Sequence, residues 1–239
     1  DELSVRELLD AMAAEKGASS SSCPSPADYA DAFAKGDKTV CFTISAALSG
    51  SYNAAVQGRL LALEKHPEKE IRIIDSRGTA SVLILLIHRA KELMEHAAPE
   101  QFSDICAELE RCRSELRTCF TLENFDNLIK NGRMKPLVGT LLHSLGIHIV
   151  AEGTPQGEIR VADKARGEKR TRRAITALME RNKDCAGATV IISHCENPAA
   201  AMKLREQILE DLPVKSVQIH ACRGLNSFYA MEKGLIIGY

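Results

Sequence analysis

Apolar positions Val5, Leu8, Leu9 and Met12 recur at helical spacing and the run stops at Gly17, which predicts a first helix. Pro26 suits the first turn of a second helix running to Ala34. Lys38 to Ile44 is dense in β-branched and aromatic residues and predicts a buried strand, followed by a loop over 45–50 and a helix over 52–65. A second strand, Ile71 to Ile74, ends in Asp75-Ser76-Arg77-Gly78 and leads into helices at about 80–96 and 99–115. Strand, loop and helix alternating in this way predict a mostly parallel sheet flanked by helices. Its ligand sites would lie beyond the strand C-termini, where Ser49 and Asp75 both stand.

After Arg117 the pattern changes. Thr118 to Leu122 reads as a strand, Glu123 to Lys130 as a helix closed by Asn131-Gly132, and Leu137 to Leu145 as an apolar helix. Ile147 to Ala151 and Glu158 to Ala162 flank Gly153-Thr154-Pro155-Gln156-Gly157 as a β-hairpin. A basic segment with Lys164, Arg166, Lys169, Arg170, Arg172 and Arg173 follows. Helix 168–181, strand 188–193, helix 198–211, strand 214–220 and a last strand 235–239 complete the map. Strands joined by a hairpin as well as through helices imply a mixed sheet. The chain therefore reads as two α/β domains, residues 1–118 and 119–239.

Composition narrows the function more than the fold. The 239 residues carry a net charge of -1, which gives no reason to expect nucleic acid. Aromatic residues make up only 4%, without tryptophan, so stacking platforms for bases are not expected. The longest apolar run, Val82 to Ile87, is too short for a transmembrane segment. Eight cysteines without a C-x-x-C pair fit reduced, buried thiols in a cytoplasmic protein, and no metal is expected.

The chemistry concentrates in two serine-rich segments, Ser21-Ser22-Cys23-Pro24-Ser25-Pro26 and Ser45-Ala46-Ala47-Leu48-Ser49-Gly50-Ser51-Tyr52, each opening a predicted helix. Hydroxyls beside the free N–H groups of a helix N-terminus form a neutral cradle for an anion. Ser25 before Pro26 also suits an N-cap, as Ser49 or Ser51 would for the next helix. With no phosphate-loop pattern and no lysine in either loop, a single carboxylate fits better than a nucleotide. A Ser49–Asp75–His194 triad can be drawn in hydrolase chain order, which makes a serine acyl hydrolase the enzyme alternative. The strained elbow that such a nucleophile needs has glycine two residues to either side, and here those places hold Ala47 and Ser51.

Together and in this order the two loops resemble the DegV family of bacterial fatty-acid-binding proteins. Ser21 to Pro26 is similar to that family's T-S-Q-P-S-P segment, Ser45 to Tyr52 to its S-S-x-L-S-G-T-Y loop, and Ile74-Asp75-Ser76-Arg77 to its strand-end V-I-D-S/T. Asn131-Gly132-Arg133-Met134 is similar to its G-G-R-I turn, and Lys164-Ala165-Arg166-Gly167 to its K-x-R-x segment.

The resemblance implies two α/β domains with a long-chain fatty acid held between them, the fatty acid being a ligand and no cofactor being needed. It implies carboxylate binding by Ser21 and Ser49, and a ligand set of Ser21, Ser22, Ser49, Gly50, Arg133, Arg166 and Arg223 with no catalytic residue. It also implies delivery of the fatty acid to a separate fatty acid kinase, with Arg166 and its basic neighbours meeting the kinase or the acyl phosphate. Three departures stand out. The family's opening strand with its Asp-Ser motif has no counterpart, which suggests a truncated chain; the motif glutamine is Cys23; and the family's head-group histidine before a G-P-G turn is replaced by Cys222-Arg223-Gly224, with Arg223 as a substitute. A third reading is a regulatory module whose basic helix recruits a partner without lipid.

Overall fold

The structure is a computed structural model, and it describes residues 4–15, 19–135 and 146–239. The apolar helix expected over 137–145 and the stop at Gly17 lie outside the described residues.

Two parallel strands, β1 (Lys38–Thr43) and β2 (Glu70–Asp75), form the first sheet in register from Lys38↔Glu70 to Thr43↔Asp75. A parallel pair needs a crossover, and α3 (Ser51–Lys65) supplies it. Alternation then sorts the side chains to two faces. Cys41, Ile71 and Ile73 pack beneath α2 (Pro26–Phe33) and α3, with Phe33, Ala55 and Ala62. Val40, Phe42 and Ile74 face Ala90 of α4 (Ser81–Met94), with Ile105 and Leu109 of α5 (Phe102–Glu115). The expected helix at 99–115 opens with a 3₁₀ turn over Pro99–Gln101.

The second sheet has six strands: β3 (Thr118–Leu122), β4 (Ile147–Gly153), β5 (Ile159–Arg166), β6 (Thr189–His194), β7 (Ser216–Ala221) and β8 (Leu235–Gly238). Their spatial order is β5-β4-β3-β8-β6-β7; only β6 and β7 run parallel and the other neighbours are antiparallel. One face carries Val150, Ile192 and Ile237 against Ile175 and Met179 of α7 (Glu168–Asn182) and Leu204 of α8 (Pro198–Asp211). The other face turns Phe120, Leu122, Ile149 and Ile236 toward α6 (Asp126–Lys130) and α9 (Gly224–Ala230).

The hairpin is longer than its apolar pattern suggested. β5 runs through Lys164 to Arg166, pairing Arg166 with Ile147, because an edge strand tolerates outward charges. Helix α9 has no sequence-based counterpart: seven residues beginning with Gly224 are too short for helical periodicity to register. Helix α6 begins at Asp126, three residues later than the pattern implied.

Two contacts join the layers. Helix α4, from the first half of the chain, also lies against β6 and β8. Gly238 permits that approach, since a Cβ there would stand 2.9 Å from Ser81 Cβ. Ser81 Oγ donates to the Ile236 carbonyl and sits 2.8 Å from Ser193 Oγ, all of it buried. At the other side α1 (Val5–Ala14) packs on α9 and places Leu9 in the cluster with Phe120 and Leu128.

Candidate functional site

The first serine segment is held by its own capping chemistry. Ser25 caps α2 in a capping box with Asp28, whose carboxylate accepts from the Ser25 N–H at 2.8 Å, and Pro26 fills the first helical position. These bonds hold the Asp28 carboxyl below its ordinary value. Ser25 is thus a cap, as its place before proline suggested. Ser21, four residues earlier and half-buried, is not: its hydroxyl lies 2.9 Å from the Tyr229 hydroxyl on α9.

The second segment is shaped from below. Asp75 Oδ1, at the end of β2, accepts from the N–H groups of Ala46 at 3.1 Å and Arg77 at 2.9 Å. Ser45, fully buried, donates its hydroxyl to the Gly157 carbonyl at 2.8 Å and receives the Ala47 N–H at 3.2 Å. Gly50 occupies the N-cap position of α3, while Ser49 Oγ accepts from the Ser51 N–H and lies 2.9 Å from Ser51 Oγ. The two segments adjoin, for a Cβ on Gly50 would meet Cys23 Sγ at 3.4 Å.

Arg133 ties them together. Its Nε donates to the Leu48 carbonyl at 3.1 Å, and its guanidinium sits over the Tyr229 ring, 5.8 Å from the centroid. Asn131, two residues before it, donates from Nδ2 to the Ser19 carbonyl at 3.2 Å. Gly132, at φ 72°, provides the turn that aims both side chains.

Behind this polar mouth lies a mainly apolar cavity between the two sheets. Its walls are mainly Ile44 just after β1, Leu48 from the second serine loop, Phe120 and Leu122 from β3, Leu128 from α6, Ile159, Leu225 and Ile236. Arg77, Thr79, Thr118 and Asn226 add polar atoms at its edge, with Thr79 Oγ1 donating to Asn226 Oδ1 at 2.9 Å.

Of the residues singled out from sequence, Ser21, Arg133 and the Ser49-Gly50 loop meet at this mouth, and Arg133 alone among the seven lines the cavity. Ser22 is exposed. Arg166 lies elsewhere, at the end of β5, where it shares an exposed groove with Lys164, Arg170 and Arg173. Arg223 is exposed at the N-cap of α9, outside the cavity wall.

The residues of the drawn triad have separate partners. Ser49 bonds to Ser51, Asp75 to backbone N–H groups, and His194 Nδ1 accepts from the Asn197 N–H at 3.2 Å. No hydrogen bond links the three among the described residues. Sequence reasoning misses Tyr229, because it lies on the seven-residue helix α9, which is too short to leave a periodic signal.

All eight cysteines are free, five of them buried, and burial pushes the Cys41 thiol up to about 11 and the Cys222 thiol to about 12. Among the described residues no cluster of three or more His, Cys, Asp or Glu is placed to hold a metal, and no helix is long and apolar enough to cross a membrane.

Comparison with known proteins places the fold. A family model described as "Uncharacterised protein, DegV family" matches residues 1–233. The chain belongs to the DegV family. A DegV domain-containing protein of Streptococcus gordonii is 36% identical over 240 residues, covering 100% of this chain and 84% of the relative. The crystal structure of the Streptococcus pneumoniae fatty acid kinase B3 protein loaded with linoleic acid is 32% identical, with a TM-score of 0.93 over 99% of this chain and 83% of that one. A DegV protein of Eubacterium eligens loaded with heptadecanoic acid is 28% identical, with a TM-score of 0.92 over 99% of this chain and 84% of that one. DegV structures similar to this chain thus hold fatty acids.

Proposed function

We propose that this chain binds a long-chain fatty acid in the cavity between its sheets and presents the carboxylate to a fatty acid kinase, without turnover of its own. The observation that carries this reading is an apolar cavity whose mouth gathers the Ser21–Tyr229 hydroxyl pair and Arg133. The division of the chain into 1–118 and 119–239 belongs to the same proposal, and the cavity takes walls from both parts.

The physics divides the labour. Each buried methylene contributes ~0.8 kcal/mol, so the tail supplies affinity and the head group orientation. At the mouth Ser21 and Ser49 hydroxyls would bond the carboxylate, with Tyr229 sharing its hydroxyl with Ser21 and Ser22 and Gly50 flanking them. Arg133 has part of its charge turned to the Leu48 carbonyl and the Tyr229 ring, so it can steer a carboxylate without gripping it. The exposed groove of Arg166, Arg170 and Arg173 is the surface for the acidic side of a kinase, and Arg223 is a weaker candidate for the head group. Such a carrier would work in the cytoplasm.

The test is mass spectrometry of lipid extracted from the purified chain, followed by titration of delipidated protein with oleate. Ser21→Ala and Ser49→Ala each remove one bond to a charged group, about 1.5–3 kcal/mol, and weaken binding by roughly ten- to a hundredfold. A chain that carries no fatty acid and does not take up oleate would overturn the proposal. Unchanged affinity in both variants would overturn the head-group assignment. Labelling of Ser49 by a fluorophosphonate would favour the hydrolase reading instead.

A further inference from the structure

A second, polar cleft lies on the far side of the wall formed by Arg77, Thr118 and Gly153. Three arginines line it: Arg77 from the turn after β2, Arg113 from the last turn of α5, and Arg117 leading into β3. No carboxylate lines this cleft, and none of the three arginines forms an ion pair among the described residues. The protein elsewhere pairs its arginines freely with glutamates, as Arg72 does with Glu110 and Arg111 with Glu108. In a chain of net charge -1, three arginines lining one cleft with no carboxylate among its walls leave positive charge there that an anion would offset.

Structural roles account for part of the set only. Arg117 Nη1 closes the end of α5 by donating to the carbonyls of Ser114 at 2.7 Å and Leu116 at 2.9 Å. Arg77 Nη1 donates to the Pro155 carbonyl at 2.9 Å, which leaves most of its fork free. Arg113 Nε is buried with no partner. Thr118, only 7% exposed, has a buried hydroxyl with no partner either. Unpaired buried donors are costly, and here both belong to residues that line one cleft with three arginines.

We propose that this cleft binds a phosphate-type anion, with the Arg113 and Arg77 guanidinium groups and the Thr118 hydroxyl as donors. Planar forks match phosphate oxygens in pairs. The shared chemistry admits two sources, a soluble phosphate ester or a phospholipid head group. The site does not depend on fatty-acid binding and is tested without it.

The experiment uses the full chain at constant ionic strength. Glycerol 3-phosphate is titrated calorimetrically against a chloride control, and co-sedimentation compares vesicles of phosphatidylglycerol with vesicles of phosphatidylcholine. Arg113→Gln is expected to weaken binding about tenfold or more by removing a charge-assisted donor. Thr118→Val separates a ligand role from a structural one. Losing an unpartnered hydroxyl leaves the ligand-free protein at least as resistant to heat, while phosphate affinity falls. Affinity for glycerol 3-phosphate that depends on Arg113 and Thr118 identifies a soluble ligand. Binding confined to phosphatidylglycerol vesicles with the same dependence identifies a lipid head group. No binding beyond the chloride control in either arm, or binding that neither variant changes, overturns the proposal.

Discussion

Gly157 joins the hairpin of the second sheet to the serine loop of the first, and replacing it with alanine probes whether that joint shapes the cavity. Its φ is 83°, and a Cβ would stand 2.2 Å from Ser45 Oγ and 3.1 Å from Arg77 Cα. Alanine at positive φ costs about 1–2 kcal/mol. The clash expels Ser45 Oγ from its 2.8 Å bond to the Gly157 carbonyl and leaves a buried hydroxyl unpaired, about 1–3 kcal/mol more. Gly157→Ala is therefore expected to destabilise by about 2–5 kcal/mol. Ser45→Ala alone forfeits that bond and the acceptor for the Ala47 N–H, about 1–2 kcal/mol. In the double variant the offending oxygen is gone, so its cost should fall below the sum of the singles by about 1–3 kcal/mol. Urea unfolding followed by far-ultraviolet circular dichroism reads these differences as midpoint shifts at constant slope. Additive costs, or a Gly157→Ala protein as stable as the parent, would refute the reasoning, because either result means that Ser45 and Gly157 do not meet as described.

Two further outcomes follow from buried hydroxyls and from a half-buried imidazole. Ser81 spends its one hydrogen on the Ile236 carbonyl, so Ser193 must donate to Ser81. Ser81→Ala then strands the Ser193 donor and should cost more, about 2–3 kcal/mol, than Ser193→Ala at about 1 kcal/mol. Equal losses in urea unfolding would contradict that polarity. His194 is held below its ordinary value of 6.5 mainly by burial, and its Nδ1 must be unprotonated to accept from Asn197. A depressed imidazole disfavours its charged form in the folded state, so its effect is absent above the unfolded value and stability declines as pH falls below about 6.5. Thermal melts from pH 8 to pH 5 should show a smaller decline in His194→Asn; an identical decline would exclude His194 as its source.

How much was legible depended on how local each signal was. The strands around Val40, Ile73, Cys119 and Ile192 announced themselves through β-branched density, and the helices over 51–65, 168–182 and 198–211 through apolar spacing. The hairpin was readable from its Gly-Thr-Pro-Gln-Gly loop, although β5 ran further because its outward charges carry no apolar pattern. Helix α9 was invisible at seven residues, and with it Tyr229, the residue that completes the mouth. Arg166 and Arg223 were grouped with the serines through resemblance, and space separates them from the cavity.

Sequence alone therefore determined most element types, their α/β order and the serine loops that precede α2 and α3, because capping, turn chemistry and periodicity act over a few residues. The tertiary structure decided which of those hydroxyls are spent on holding the fold. Ser25 is consumed as a cap, Ser45 as a strut to Gly157, and Ser21 is left facing Tyr229, more than two hundred residues away in the chain. The cavity and the arginine cleft have the same origin: each is lined by segments that no local rule relates, brought together when α4 packs on both sheets and buries their facing sides.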